Sequence, residues 1–206
     1  MSDAAPLSPR TVRRRRLQLV GLATLFLGPL LFSAWLYYGS GLRPPGHVQH
    51  GELLDPVRPL PGAALATAAG ALTAPDFLRH KWTLLTVVHD DCDARCTAAL
   101  AATRVARIAL DEDAPRVQRV LLADAPCCEA AWRSGAATGL VTAWLDSDDG
   151  RRLVAALATP LAPAPEPGRI YLVDPLGNLV MSYPPGTDAK DLLKDLGRLL
   201  RLSQIG

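Results

Sequence analysis

Residues 81–109 read KWTLLTVVHDDCDARCTAALAATRVARIA. Trp82–Val88 is an unbroken apolar run, partly β-branched, of the length expected for a central strand covered on both faces. An acidic turn follows, and then Cys92 and Cys96 in a C-x-x-x-C arrangement. Beyond them Ala101, Val105, Ile108 and Ala109 recur at helical spacing, and Pro115 marks the stop. A strand that delivers a cysteine pair to the first turn of a helix is a thiol site.

Downstream, Val117–Ala123 (VQRVLLA) is a second strand, so strand–helix–strand implies a right-handed parallel crossover. Glu129–Arg133 reads as the start of a short helix, Leu140–Leu145 as strand-like, Arg151–Ala158 as helical, and Thr159–Gly168 as a Pro-rich loop. Arg169–Asp174 and Asn178–Tyr183 alternate as strands around Asp174-Pro175-Leu176-Gly177. Pro at the second turn position and Gly at the fourth suit a type I turn and a β-hairpin. Asp188–Leu202 closes the chain as an amphipathic helix with a stripe of Leu192, Leu193, Leu196, Leu199 and Leu200, capped by Thr187 or Asp188. This order describes an α/β, thioredoxin-like domain: a mixed sheet flanked by helices.

Upstream, Leu17–Tyr38 carries no charge. As a helix it spans about 33 Å, enough to cross a bilayer. Trp35, Tyr37 and Tyr38 sit at its far end, where interfacial aromatics belong. The block Arg13–Arg16 precedes it, which places the N-terminus in the cytoplasm and the rest of the chain outside. A cleaved signal peptide is the competing reading. The apolar run exceeds a typical h-region and no clear cleavage site follows it, so an anchor is favoured. The expected organisation is a basic cytoplasmic tail (1–16), a single transmembrane helix (17–38), a Gly/Pro-rich juxtamembrane linker (39–61) and a thioredoxin-like domain (62–206). Within 62–206, Ala69-Gly70-Ala71 reads as a turn between two short edge strands. Net charge is +2 with its excess in the N-terminal arginines, so nothing points to nucleic acid.

Two thiols at a helix start can bind a soft ion such as Cu(I), cycle between dithiol and disulfide, or form a structural disulfide. The helix N-terminus and Arg95 favour the thiolate, whereas Asp90, Asp91 and Asp93 oppose it. That balance favours metal binding or reductant chemistry over an aggressively oxidising cysteine. Cys127 and Cys128 follow the second strand. Parallel strands end at one sheet edge, about 4.8 Å apart, so the two cysteine pairs belong within about 10 Å of each other. They offer further metal ligands or a resolving thiol; the bland alternative is that one is core packing and the other inert. His89 is a candidate third ligand, against the reading of a partly exposed strand-end histidine. Every histidine (His47, His50, His80, His89) precedes Cys92, and His47 and His50 lie in the linker, where solvation is the ordinary fate.

KWTLLTVVHDDCDARC, with IYLVDPLGNLV, resembles the Sco/SenC branch of thioredoxin-like proteins, which assist assembly of the copper centre of cytochrome c oxidase. The RPPGH, VQRVLLA, PCC and YLVDPLGNL segments are similar to those of short Sco-like membrane proteins that accompany oxidase assembly factors. The resemblance implies Cu(I) as a cofactor held by Cys92 and Cys96; His89, Cys127 and Cys128 remain further candidate ligands by their position in the chain. It also implies an inner-membrane protein whose domain is periplasmic, and a cytochrome c oxidase subunit or assembly factor as partner. Sco proteins add a histidine about five residues before the hairpin tyrosine. Tyr171 matches that tyrosine, and Glu166 stands near the histidine position. As a carboxylate, Glu166 is a poor Cu(I) ligand. The expected function is oxidase assembly by Cu(I) handling or thiol reduction. The alternatives are a general thiol–disulfide oxidoreductase and a non-catalytic module docked on a respiratory complex.

Overall fold

The computed structural model describes residues 9–39, 49–89, 91–124, 127–128, 135–159 and 162–203. The chain divides into two units, Met1–His47 and Val48–Gly206. The first contains helix α1 (Pro9–Gly39), within which Arg13–Leu36 is long and apolar enough to cross a membrane. The arginines expected in a tail are therefore the first turns of this helix.

The second unit is a six-stranded mixed sheet. Its elements are β1 (Glu52–Pro59), β2 (Trp82–Val88), α2 (Ala94–Ile108), β3 (Val117–Ala123), β4 (Leu140–Trp144), α3 (Asp148–Ala156), β5 (Ile170–Val173), β6 (Asn178–Tyr183) and α4 (Ala189–Leu202). The strand order is β1-β6-β5-β2-β3-β4. β2 and β3 pair in parallel over their whole length, and β3 and β4 over Arg119–Ala123 and Leu140–Trp144, while β5 lies antiparallel to β2. All of β2 is buried, Thr83 and Thr86 included, which explains why its largely apolar composition does not alternate. One core lies on the face holding Leu85, Val87, Val120, Leu122 and Tyr171. The other packs Leu84, Ile170 and Leu172 beneath α2 and α4. Trp82 and Tyr171 are core residues.

Most expected elements appear where the patterning put them. The β5–β6 turn closes through Gly177 N–H to the Asp174 carbonyl at 2.9 Å, and Gly177 at φ +87° takes the left-handed position that follows. The edge turn forms too, through a bridge between Ala66 and Leu72 with Gly70 at φ +80°. Helix α3 begins before Arg151 because the Ser147 hydroxyl caps it by accepting from Gly150 N–H at 3.1 Å. Asp188, of the two residues offered, caps α4. The helix expected over Glu129–Arg133 lies outside the described residues.

Residues 52–59 depart from the linker reading: they are edge strand β1, antiparallel to β6. Its residues are mostly exposed and Pro56 and Pro59 interrupt it, so it lacks the apolar alternation of a strand, and an edge position tolerates both prolines. The entry to β1 is fastened by Asp195 of α4, which is 3% exposed. Its carboxylate accepts from the backbone N–H groups of His50 (2.8 Å) and Gly51 (3.2 Å) and from the Tyr183 hydroxyl (3.3 Å). Burial, with Asp195 beside it, pushes the Tyr183 phenol well above its ordinary pKa.

Candidate thiol site

Cys92 sits just ahead of α2 and Cys96 in its first turn. The turn is set by Asp93, the N-cap, whose Oδ1 accepts from the Cys96 backbone N–H at 2.9 Å. The other Asp93 oxygen takes Arg95 Nε at 3.0 Å. The Cys96 amide and Arg95 together hold the Asp93 carboxyl below its ordinary pKa. Arg95 is thus directed to Asp93 rather than to the thiols.

All four cysteines are disulfide-bonded, Cys92 to Cys96 with Cα atoms 5.2 Å apart and Cys127 to its neighbour Cys128. Cys128 adopts φ +73°, a left-handed conformation uncommon outside glycine. The Sγ atoms of Cys92, Cys96 and Cys128 lie within 4.8 Å of one another. β2 and β3 end side by side, and this brings the two pairs together. Cys96 (0% exposed) and Cys128 (5%) are buried with Val88, Leu100, Leu121, Ala136 and Ala137. Cys92 and Cys127 are half-buried against the same cluster. The Cys92 sulfur lies 3.8 Å from the Thr97 hydroxyl and opens onto a shallow groove of about 620 Å³ along α2, floored by Ala94, Ala98, Ala101 and Val105.

The candidate His89 points elsewhere. Its Nδ1 lies 2.5 Å from Asp124 Oδ2, on the exposed side of the same sheet edge, and the sulfur cluster does not include it. Glu166 is engaged by Arg169, which also reaches Glu52 at 2.9 Å and Ser182 at 3.0 Å. Gly168, two residues on, lies against the backbone of Arg95: a Cβ there would meet Arg95 atoms at 2.9 Å, and φ is +82°. The loop carrying Glu166 is therefore seated beside the start of α2. Gly168→Ala is expected to cost about 1–2 kcal/mol for the left-handed backbone alone, more with the clash. A thermal melt should fall by roughly 2–8 °C.

Arg119 was not singled out by the sequence patterning. It is 2% exposed, in the middle of β3. Its Nε donates to the Thr103 hydroxyl (3.1 Å), Nη1 to the Thr138 carbonyl (2.9 Å), and Nη2 to the carbonyls of Leu100 (2.6 Å) and Ala136 (2.8 Å). It faces no carboxylate among these partners. Burial, with Arg104 and Arg107 nearby, pushes its pKa down to about 10. The guanidinium ties α2 to residues 136–138, the two walls between which Cys96 and Cys128 meet. Its signal was a charge inside an apolar strand run, VQRVLLA.

The donor set suits a soft ion. Metal–thiolate bonds of about 2.3 Å put sulfurs sharing one ion at most ~4.6 Å apart; the three sulfurs here lie within 4.8 Å of one another, Cys92 and Cys96 as a bonded pair. Once reduced, three sulfurs at one edge can bind a soft cation or exchange disulfides.

The family described as "Transmembrane-like, thioredoxin-like, C-terminal domain" matches residues 82–203. No curated protein matches the chain. Among solved structures, apo Sco1 from Thermus thermophilus is 17% identical, with 75% of this chain and 99% of that one covered and a TM-score of 0.58. Copper-bound ScoI from Bradyrhizobium japonicum is 18% identical, with 68% and 98% covered and a TM-score of 0.53. A thiol:disulfide interchange protein from Bacteroides sp. is 14% identical, with 70% and 90% covered and a TM-score of 0.51. At these identities the likeness is one of fold.

Proposed function

Because this chain belongs to the family of transmembrane-like proteins with a thioredoxin-like C-terminal domain, we propose that it is a membrane-anchored periplasmic protein that assists cytochrome c oxidase assembly. It does so by handling Cu(I) or by reducing a client's cysteines through Cys92 and Cys96. One observation carries this reading: three sulfurs, those of Cys92, Cys96 and Cys128, lie within 4.8 Å of one another. Copper is cargo in this scheme. Cys92 and Cys96 hold it, with Cys128 as third ligand in place of the histidine that Sco proteins use. Thiolates favour Cu(I), and the neighbouring carboxylates do not compete for it. Cys92, half-buried and facing the groove, is the sulfur that meets the client; Cys96 and Cys128 stay behind it.

The arginine block ahead of the apolar helix supports a cytoplasmic N-terminus in the inner membrane and a domain on the far side. The client is an oxidase subunit or another assembly factor. Thiol reduction is kept beside copper handling because both cysteine pairs are disulfide-bonded, and Cu(I) needs the reduced form.

The test is made in the source organism. A strain carrying Cys92→Ser with Cys96→Ser is expected to lose the oxidase copper centre as fully as a strain with the whole protein deleted, read from membrane spectra and oxidase activity. If the double variant assembles the oxidase normally while the deletion does not, the domain is a docking module. If both assemble it normally, the oxidase reading fails.

A further inference from the structure

We infer that Cys127–Cys128 is a second redox pair that exchanges disulfides with Cys92–Cys96 inside the same chain, through Cys128. The inference rests on the reading of Cys92 and Cys96 as the working pair, and names what reduces them.

The placement of the sulfurs carries it. Cys128 Sγ lies within 4.8 Å of both Cys92 and Cys96 Sγ, while Cys127 is not one of the three clustered sulfurs. Each pair contributes one buried cysteine, Cys96 or Cys128, and one half-buried cysteine, Cys92 or Cys127. The contact is braced from both sides. Arg119 joins Leu100 of α2 to Ala136, and Leu100 and Ala136 pack in the same cluster as Cys96 and Cys128. Cys128 holds a left-handed backbone conformation at φ +73°, the sort of local cost that persists where the surroundings impose it. A second disulfide used only to staple the fold would have no need to sit against the first.

The exchange is balanced without another oxidant. An external dithiol attacks Cys127 Sγ, the Cys127–Cys128 bond breaks, and Cys128 leaves as thiolate. Cys128 then attacks Cys92 Sγ, forming Cys92–Cys128 and releasing Cys96 as thiolate. The second thiol of the external dithiol resolves its mixed disulfide and frees Cys127. Cys127 attacks Cys128 Sγ, restores Cys127–Cys128 and releases Cys92. The external dithiol ends as a disulfide and Cys92 and Cys96 end as thiols, with two electrons and two protons moved; a second dithiol equivalent, oxidised in turn to its disulfide, then opens Cys127–Cys128 and frees Cys128 to join them as a metal ligand. The partner is therefore a protein or small-molecule dithiol that acts at Cys127. The groove beside Cys92 stays open for the client.

The test uses the full chain in detergent with a single cysteine removed. In Cys96→Ser, Cys92 begins as the one free thiol facing the Cys127–Cys128 bond. Anaerobic incubation, alkylation and peptide mapping are expected to find the label divided between Cys92 and Cys127, with a Cys92–Cys128 bond and no dependence on protein concentration. In Cys92→Ser the label is expected to divide between Cys96 and Cys127. Redistribution in either variant supports the relay. A label confined to the original thiol in both, or new bonds found only between chains, overturns it. Neither copper nor client takes part, so a negative result here leaves the oxidase-assembly reading to its own test.

Discussion

Arg119→Met is expected to lower the melting temperature of the domain by roughly 2–12 °C, from a loss of about 1–3 kcal/mol. Two effects oppose each other. Methionine relieves the burial of a cation whose pKa is already pushed down to about 10. Replacing a buried charged group by an apolar one of similar size can for that reason be neutral. Here, however, the acceptors are the carbonyls of Leu100, Ala136 and Thr138 and the hydroxyl of Thr103, which stay behind. Leu100 O keeps the Thr103 hydroxyl as a donor at 3.0 Å and Thr138 is exposed, so the loss falls on the buried Ala136 carbonyl, at about 1–3 kcal/mol, and exceeds the relief. The same change frees residues 136–138 from α2, so Cys128 should also lose its register against Cys96. Calorimetry and alkylation rates of the reduced cysteines check the two parts. An unchanged melt together with an unchanged alkylation pattern would show that Arg119 neither holds the core nor positions the thiols.

Under the proposed function, Cys96→Ser is expected to abolish retention of Cu(I) by the reduced protein. Cys96 is fully buried and lies within 4.8 Å of both other sulfurs, so no neighbour can take its place. Serine puts a hard oxygen where a soft ion needs sulfur. Cys128→Ser is expected to weaken retention by at least ~10–100-fold, the scale on which losing even an outer-shell partner is felt. Competition with a chromogenic Cu(I) chelator measures both. His89→Ala, a change at a ring turned to Asp124, should leave the affinity as it is. A large loss in His89→Ala with none in Cys128→Ser would exchange the roles assigned to these residues.

The central architecture was legible because its signals are local. Trp82–Val88 is apolar on both faces, the Asp174–Gly177 turn carries its own punctuation, and α4 displays its leucine stripe. The parallel crossover then brought Cys92 and Cys128 to one edge by topology alone, and the sulfur separations agree with that placement. What was not legible depends on partners far along the chain. β1 is a strand because β6 pairs with it, and its own composition of prolines and exposed residues reads as linker. Asp195 looks like a polar residue on an amphipathic helix, yet it is buried because the His50 and Gly51 amides come to it. Arg119 sat in plain view within VQRVLLA, but its meaning lies in carbonyls contributed by two other segments. His89 fell within the span of the motif, and only the position of Asp124 shows where its ring is turned.

The most direct test of the account is copper content and free-thiol count on the full chain, reduced and purified anaerobically, then exposed to Cu(I). The expected result is four free thiols before loading and about one Cu(I) per chain afterwards, in an all-sulfur environment by X-ray absorption, with loading lost when Cys92 and Cys96 are both serine. Reduced protein that takes up no copper, or takes up as much without Cys92 and Cys96 as with them, would contradict the copper role of this site.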